Sequence, residues 1–164
     1  MAKISVTGLD EMNQAFSSLV SEASEINSLA LYDAAGVAKD AIAEALAGMP
    51  THDESQYGTE SNKLYGATPS EKTQIIQNFG VAHFRRSNGS TDTSIGFKGY
   101  VNTKSKRFNN HVPTGMLMQC IEYGTSFRRP TRTISNAIKS IRDRATQAAQ
   151  ERIDQEIQKR NLNN

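Results

Sequence analysis

The stretch MLMQCIEYGTSFRRPTRTISNAIKSI, residues 116–141, contains the sharpest change of pattern in the chain. A short apolar segment ends in EYGT, three arginines follow around Pro130, and a second apolar periodicity begins at Ile134. Glycine often ends a helix because it adopts backbone angles that side chains resist, and a threonine hydroxyl can bind nearby backbone groups. We therefore interpret the break as a structural corner formed by Glu122, Tyr123, Gly124 and Thr125.

Apolar side chains at helical spacing predict helices on both sides of this corner. A short helix is expected from Val112 to Tyr123, and a long C-terminal helix from about Thr133 to Arg160. Near the N-terminus, Thr7-Gly8-Leu9-Asp10 resembles a capping box and precedes a first short helix. A second, alanine-rich helix is expected from about Ser28 to Met49, where a proline ends it. The apolar stripe of the first helix consists of Leu9, Met12, Phe16, Leu19 and Val20.

The middle of the chain is polar at first and then rich in turn residues. Residues 50–68 are interpreted as a long polar loop, and Pro69 suits the first position of a short helix. Val81–Arg86 and Thr93–Tyr100 are predicted strands around Ser87-Asn88-Gly89-Ser90, a typical hairpin sequence.

These elements predict an α+β fold with two N-terminal helices, a small antiparallel β-sheet containing a hairpin, and a long C-terminal helix. The length favours a single domain, residues 1–164. Its parts are a helical segment (1–49), a polar loop and short helix (50–78), a hairpin region with loops and a short helix (79–132), and the C-terminal helix (133–164).

The composition is lean for a compact core, with 37% hydrophobic residues and no tryptophan. We expect extended elements, or a core that neighbouring subunits complete. Cys120 is the only cysteine, so an internal disulfide is impossible. No apolar N-terminal segment or membrane span is recognisable, and we expect a soluble protein made in the cytoplasm.

Charge is distributed unevenly along the chain. Residues 1–82 contain four lysines, no arginine and eleven acids, whereas residues 83–164 contain fifteen bases and six acids, so the net charges are −7 and +9. One interpretation is that acidic helices cover a basic remainder within one fold. The other is an electrostatic dipole that suits head-to-tail contacts between identical subunits, or contact with a polyanion.

The sequence contains no recognisable enzyme signature. Nucleophilic catalysis would need Cys120 beside a histidine, and His52, His83 and His111 have no diagnostic spacing from it. A packed, inert cysteine is the favoured alternative. No metal-ligand pair and no glycine-rich phosphate loop is present. We therefore predict no catalytic residue, no metal site and no cofactor.

Basic residues fall in and around the predicted hairpin and loops. Arginine binds carboxylates and phosphates through paired hydrogen bonds, so these side chains are candidates for a subunit interface or a DNA-facing surface. Solvated charges without a partner are the simpler alternative. A small basic DNA-binding protein is the alternative function, although no known nucleic-acid-binding motif is present. The candidate residues are Arg85, Arg86, Lys104, Lys106, Arg107, Arg128, Arg129 and Arg132.

Four short motifs resemble, in their order, those of one phage protein family. They are VTGLDEM (6–12), DTSIGF (92–97), IEYGTS (121–126) and NAI (136–138). The family comprises the small tail-completion, or head–tail joining, proteins of long-tailed bacteriophages, of the lambdoid gene-ten-product type. This chain departs from it in two places, with Thr133-Ile134 where Pro-Phe is usual and with a longer polar insertion after the second helix.

The resemblance implies a non-enzymatic virion protein at the neck or head-proximal end of the tail, made in the host bacterial cytoplasm. It also implies a homo-oligomeric ring that contacts neighbouring neck, head-connector or tail-tube proteins and no membrane. In that setting the arginines after the corner would face acidic groups of a neighbouring subunit, or would contact DNA passing through the ring without sequence preference.

Overall fold

The computed structural model describes residues 9–82, 85–87, 90–103, 107–109 and 111–161. Four helices alternate with short strands, and the predicted α+β class is confirmed. In chain order the elements are α1 (Leu9–Ala47), β1 (Leu64–Tyr65), α2 (Pro69–Asn78), β2 (Phe79–Val81), β3 (Arg85–Ser87), β4 (Ser90–Asp92), β5 (Ile95–Phe97), β6 (Tyr100–Asn102), β7 (His111–Pro113), α3 (Thr114–Tyr123), β8 (Arg128–Arg129) and α4 (Thr133–Asn161).

The two predicted N-terminal helices are one continuous helix of 39 residues, which corrects the sequence-based expectation. The linking segment, residues 21–27, contains neither proline nor glycine, so nothing in it interrupts the backbone hydrogen bonds. Ser28 Oγ donates to the Ser24 carbonyl oxygen within this part of the helix (2.7 Å). Helix α4 packs along α1 more extensively than any other pair of elements, and this tertiary contact supports the uninterrupted helix.

The predicted hairpin is present, but its strands form two short ladders. Strands β3 and β4 pair antiparallel with Ser87 opposite Ser90, while β2 and β5 pair farther from the turn. The turn residues Asn88 and Gly89 lie outside the described residues. Strands β6 and β7 form a third antiparallel pair and β1 and β8 a parallel one, so four two-stranded ladders replace the single small sheet that was expected among the described residues.

The short helix α2 begins as its sequence predicts. Pro69 occupies its first turn, and Thr68 caps it by accepting a hydrogen bond from the Glu71 backbone N–H (3.2 Å). The Glu71 carboxylate accepts from the Thr68 backbone N–H in return (3.0 Å), which completes a capping box.

The hydrophobic core lies at one end of the long helix pair, in a region that we call the head. The head consists of α1 from Ile42 onward, α2, α3, the strands and the first turns of α4. Its buried apolar cluster consists of Ile42, Leu46, Met49, Ala67, Ile75, Val101, Val112, Leu117, Met118, Ile121 and Ala137. Burial of these side chains is the main favourable contribution to the stability of the head.

The rest of α1 and α4 forms an antiparallel helix pair that we call the stalk, residues 9–38 and 144–161. Ala30 and Ala35 are its only buried apolar residues among those whose burial the structure describes. Charged contacts join the two helices, because Arg160 reaches Glu22 and Arg152 reaches Asp33. The lean composition thus corresponds to an extended element with little core of its own.

Candidate functional site

The corner after α3 has a backbone that only glycine fits well. Gly124 ends α3 with φ +81°, and its N–H donates to the Cys120 carbonyl oxygen (3.0 Å). A Cβ atom at this position would lie 2.9 Å from the Arg128 carbonyl oxygen and 3.0 Å from Pro130. The positive φ and the close approach together explain why glycine stands at this point of the motif.

The Glu122 carboxylate caps the N-terminus of α4 from the preceding helix. It is buried, and its two oxygens accept hydrogen bonds from the backbone N–H groups of Ile134 (3.0 Å) and Ser135 (2.8 Å). These are orphan donors of the first helical turn, where a negative charge also complements the helix dipole. The usual capping position is occupied by Arg132, which adopts φ +57° and has no side-chain acceptor. Glu122 therefore fixes the angle between α3 and α4.

The other two corner residues make a tight turn and an exposed aromatic face. Thr125 and Arg128 form a bridge in which the Thr125 N–H donates to the Arg128 carbonyl oxygen (2.9 Å). The Phe127 N–H donates to Thr125 Oγ1 at 3.4 Å. Tyr123 is exposed, and the Arg132 guanidinium lies 5.3 Å from the centre of its ring. Backbone hydrogen bonds thus hold Glu122, Gly124 and Thr125 in the corner, whereas Tyr123 is exposed and contacts Arg132.

Arg128 is not an exposed assembly residue, which corrects the expectation from the sequence. Its exposed fraction is 7%, its Nη1 donates to the Gly66 carbonyl oxygen, and its Nη2 lies 3.8 Å from the carboxylate of Glu71. Glu71 is 4% exposed and also accepts from Thr103 Oγ1 (2.6 Å). Buried charges are stable only when paired and hydrogen-bonded, so Arg128 is part of an internal network in the head.

The polar segment after α1 brings one partner of Arg128, the Gly66 carbonyl oxygen, into place. Its strand β1 pairs in parallel with β8, and the Leu64 N–H donates to the Phe127 carbonyl oxygen (3.0 Å). Gly66 has φ +84°, and a Cβ there would lie 1.9 Å from the Pro50 carbonyl oxygen. A Cβ on Gly58 would lie 2.3 Å from the Phe127 carbonyl oxygen. Gly66 thus lets the segment fold back on its own start at Pro50, and Gly58 lets it lie close to Phe127, so residues 50–68 pack against the corner.

A cavity of about 490 Å³ lies beside this network. Its lining includes His52, Tyr57, Phe127 and the buried pair of Glu71 and Arg128. Both charged groups are already engaged with each other and with protein partners, so neither is left to bind an anion or a cation.

The remaining basic candidates are spread over the surface. Arg129 and Arg132 are exposed beside the corner, and Lys63 and Arg129 line a shallow cavity of about 370 Å³ there. Arg85 is exposed opposite Asp92 in the hairpin, and the exposed Arg107 lies 5.4 Å from the ring centre of Phe108. The Arg86 side chain, Lys104 and Lys106 lie outside the described residues. We call Lys63, Arg129 and Arg132 the corner cations.

The acidic and basic parts of the chain meet along the stalk. Arg160 lies 3.3 Å from Glu22 and 3.0 Å from Glu25, and these carboxylates raise its pKa above the ordinary arginine value. The Lys159 ammonium, 3.0 Å away, is the main cause of a pKa of Glu156 below the ordinary value. Part of the charge asymmetry is therefore satisfied within one chain, as the first of the two interpretations of the sequence predicts.

No metal-binding cluster of three or more histidine, cysteine, aspartate or glutamate residues occurs within the described part of the chain.

Cys120 is half-buried in α3. Among the described helices, none is long and apolar enough to span a bilayer.

Comparison with known protein families, with characterised proteins and with solved structures finds no match to this chain. The resemblance to the phage family therefore stays a hypothesis that rests on the ordered motifs.

Proposed function

We propose that the protein is a structural component of a tailed bacteriophage particle, which completes or joins the head-proximal end of the tail at the neck as a homo-oligomeric ring. The observation that carries the proposal is the set of four motifs in family order, of which the EYGT motif forms the corner. Glu122 and Gly124 have architectural contacts there, as expected of a motif that sets the shape of the corner.

In this proposal the corner presents the joining surface. Lys63 and Arg129 line the shallow cavity beside Tyr123, Arg132 lies over the Tyr123 ring, and none of the three has an ion pair with a described residue. Exposed arginine and lysine side chains suit carboxylates on a neighbouring neck, head-connector or tail-tube protein. Arg128 lies beneath this surface, where its guanidinium binds the Gly66 carbonyl oxygen.

The experiment that tests the proposal is mass spectrometry of purified particles of the phage that encodes the chain. We expect the protein in intact particles at a low, ring-like copy number, and separate heads and tails when its gene is interrupted. A protein absent from particles, or one whose loss leaves tailed particles intact, would refute the structural role.

A variant pair tests the joining surface itself. Arg129→Glu combined with Lys63→Glu is expected to leave the fold unchanged, because both side chains are exposed, but to reduce head–tail joining. Arg85→Glu, on the exposed hairpin, is the matched control and should join normally. Equal joining by both variants would place the joining surface elsewhere.

A small basic DNA-binding protein is the second candidate, and the observation in its favour is that the corner cations have no ion pair among the described residues. Fluorescence anisotropy with duplex DNA at two salt concentrations tests it. Phosphate contacts predict binding that weakens steeply with salt and that Arg129→Glu weakens for every sequence alike. Absence of binding at low salt would exclude this candidate.

A further inference from the structure

The N-terminal end of α1 extends beyond the helix that covers it. Arg160, near the described end of α4, pairs with Glu22 and Glu25, so the thirteen residues of α1 before Glu22 run past this contact. At about 1.5 Å per residue they extend roughly 20 Å farther. We call this segment, residues 9–21, the α1 tip.

The α1 tip presents an apolar face. Phe16, Leu19 and Val20 are 59%, 60% and 68% exposed, and their spacing places them on one side of the helix. A helical segment of this length is marginally stable in water without a packing partner. Large apolar side chains grouped on one face are typical of a helix that docks on another protein surface.

The charge of the tip restricts what can cover it. Within the α1 tip, residues 9–21, the sequence contains two acids, Asp10 and Glu11, and no lysine or arginine. Two tips placed side by side would bring like charges together, which opposes a symmetric tip-to-tip contact. A matching surface must be both apolar and basic.

The same chain carries such a surface on the part of α4 nearest the head. Ile138 is 50% exposed, and Lys139 and Arg142 are exposed beside it without an ion pair among the described residues. Ile138, Arg142 and Ala145 share one face at helical spacing. We call Ile138, Lys139, Arg142 and Ala145 the α4 patch.

A tip cannot reach the patch of its own chain. The two helices are antiparallel, so the tip projects from the far end of the stalk, whereas Arg142 lies eighteen residues along α4 from Arg160, roughly 27 Å. The contact must therefore join two molecules.

We propose that the α1 tip of one copy docks on the α4 patch of a second copy. The two surfaces differ, so the contact is head-to-tail, and such contacts close into a ring when the rotation between copies allows it. This inference deepens the proposed function, because it identifies the surface that joins the copies, and as a ring contact it rests on that proposal.

The test uses the purified full chain and two exposed-site variants. The tip variant is Phe16→Ser with Leu19→Ser, and the patch variant is Ile138→Ser with Arg142→Glu. The wild-type chain should self-associate in sedimentation velocity and native mass spectrometry, and each variant should raise the dissociation constant about tenfold or more. The control is Ile157→Ser, whose side chain is 45% exposed outside both surfaces and should leave association unchanged.

An equimolar mixture of the two variants distinguishes this contact from a symmetric one. The tip variant retains an intact patch and the patch variant an intact tip, so the mixture should form heterodimers that cannot grow further. Circular dichroism of each variant confirms that the helices are intact. A mixture that stays monomeric, or one that forms larger assemblies, overturns the proposal.

Salt concentration provides a second readout that needs no substitution. Attraction between an acidic tip and a basic patch predicts that the wild-type chain associates more weakly as the salt concentration rises. A tip-to-tip contact would become stronger with salt, because salt screens the repulsion between like charges. A wild-type chain that remains monomeric also overturns the inference. These outcomes are independent of whether the protein is found in particles, so the proposed function is judged separately.

Discussion

The head and the stalk of this protein are held together in different ways. In the head, Leu46, Ile75, Val101 and Ile121 are fully buried, and a buried network around Arg128 ties the polar segment after α1 to the core. In the stalk, ion pairs between half-buried arginines and exposed carboxylates join two helices that have few buried apolar groups. Apolar burial contributes more to folding stability than exposed ion pairs do, so we expect the head to be the stable unit and the stalk to depend on further contacts.

The largest effect is expected from Arg128→Ala in the head. The substitution leaves the buried Glu71 carboxylate without its cation, and breaking a buried pair costs about 3–5 kcal/mol of unfolding free energy. Urea denaturation followed by circular dichroism measures the change. Arg129→Ala, the exposed neighbour, is the matched control and should alter stability very little. Equal effects of the two substitutions would show that Arg128 does not support the head.

Gly124→Val should have the next largest effect, at the corner where the head meets α4. A positive φ costs a side-chain-bearing residue about 1–2 kcal/mol, and the contacts with Arg128 and Pro130 add a steric term. Thermal unfolding should therefore occur at a lower temperature. Gly115→Ala in α3, where a Cβ would contact nothing within 4 Å, should be neutral or slightly stabilising. A silent Gly124→Val would mean that the corner relaxes without strain.

Glu122→Ala tests whether the head fixes the start of α4. Loss of the carboxylate leaves the Ile134 and Ser135 N–H groups without their acceptor, and removal of a helix cap typically costs about 1 kcal/mol. Hydrogen exchange should show faster exchange at the first turn of α4, with little change at the stalk end. If the variant exchanged hydrogen at the first turn of α4 no faster than the wild-type chain does, Glu122 would not be the cap of this helix.

The smallest effect is expected from pH in the stalk. Hydrogen bonding to Lys159 is the main cause of the lowered pKa of Glu156, so the folded-state pKa lies below the unfolded value. This carboxylate therefore contributes stability above its unfolded pKa, and the contribution is lost as pH falls through the folded value. Denaturation at a series of acidic pH values should reveal it as a modest pH dependence that Glu156→Gln removes. An unchanged pH profile in that variant would exclude this carboxylate as the source.

Local sequence signals determined the helices and most of their ends. Apolar periodicity predicted the short helix before the corner and the C-terminal helix that begins at Thr133, and the turn residues predicted the hairpin. The sequence also identified Gly124 as a corner residue. Its positive φ depends on local backbone conformation, which glycine adopts more readily than other residues do. The N-terminal helix was divided wrongly, since a weak stretch of the apolar stripe resembles a break when the packing of α4 is unknown.

The sequence by itself thus determined most of the helical segments, where the chain turns, and that its charges are divided between the halves. The tertiary structure alone decided which arginine is buried, that Glu122 caps a helix from outside it, and which charges meet along the stalk. Arg128 and Arg129 are adjacent and identical in type, and only the parallel pairing with Leu64-Tyr65 turns one inward. That pairing joins residues more than sixty positions apart, so it depends on how the whole chain packs. The residues next to Arg128 in the sequence therefore do not predict it.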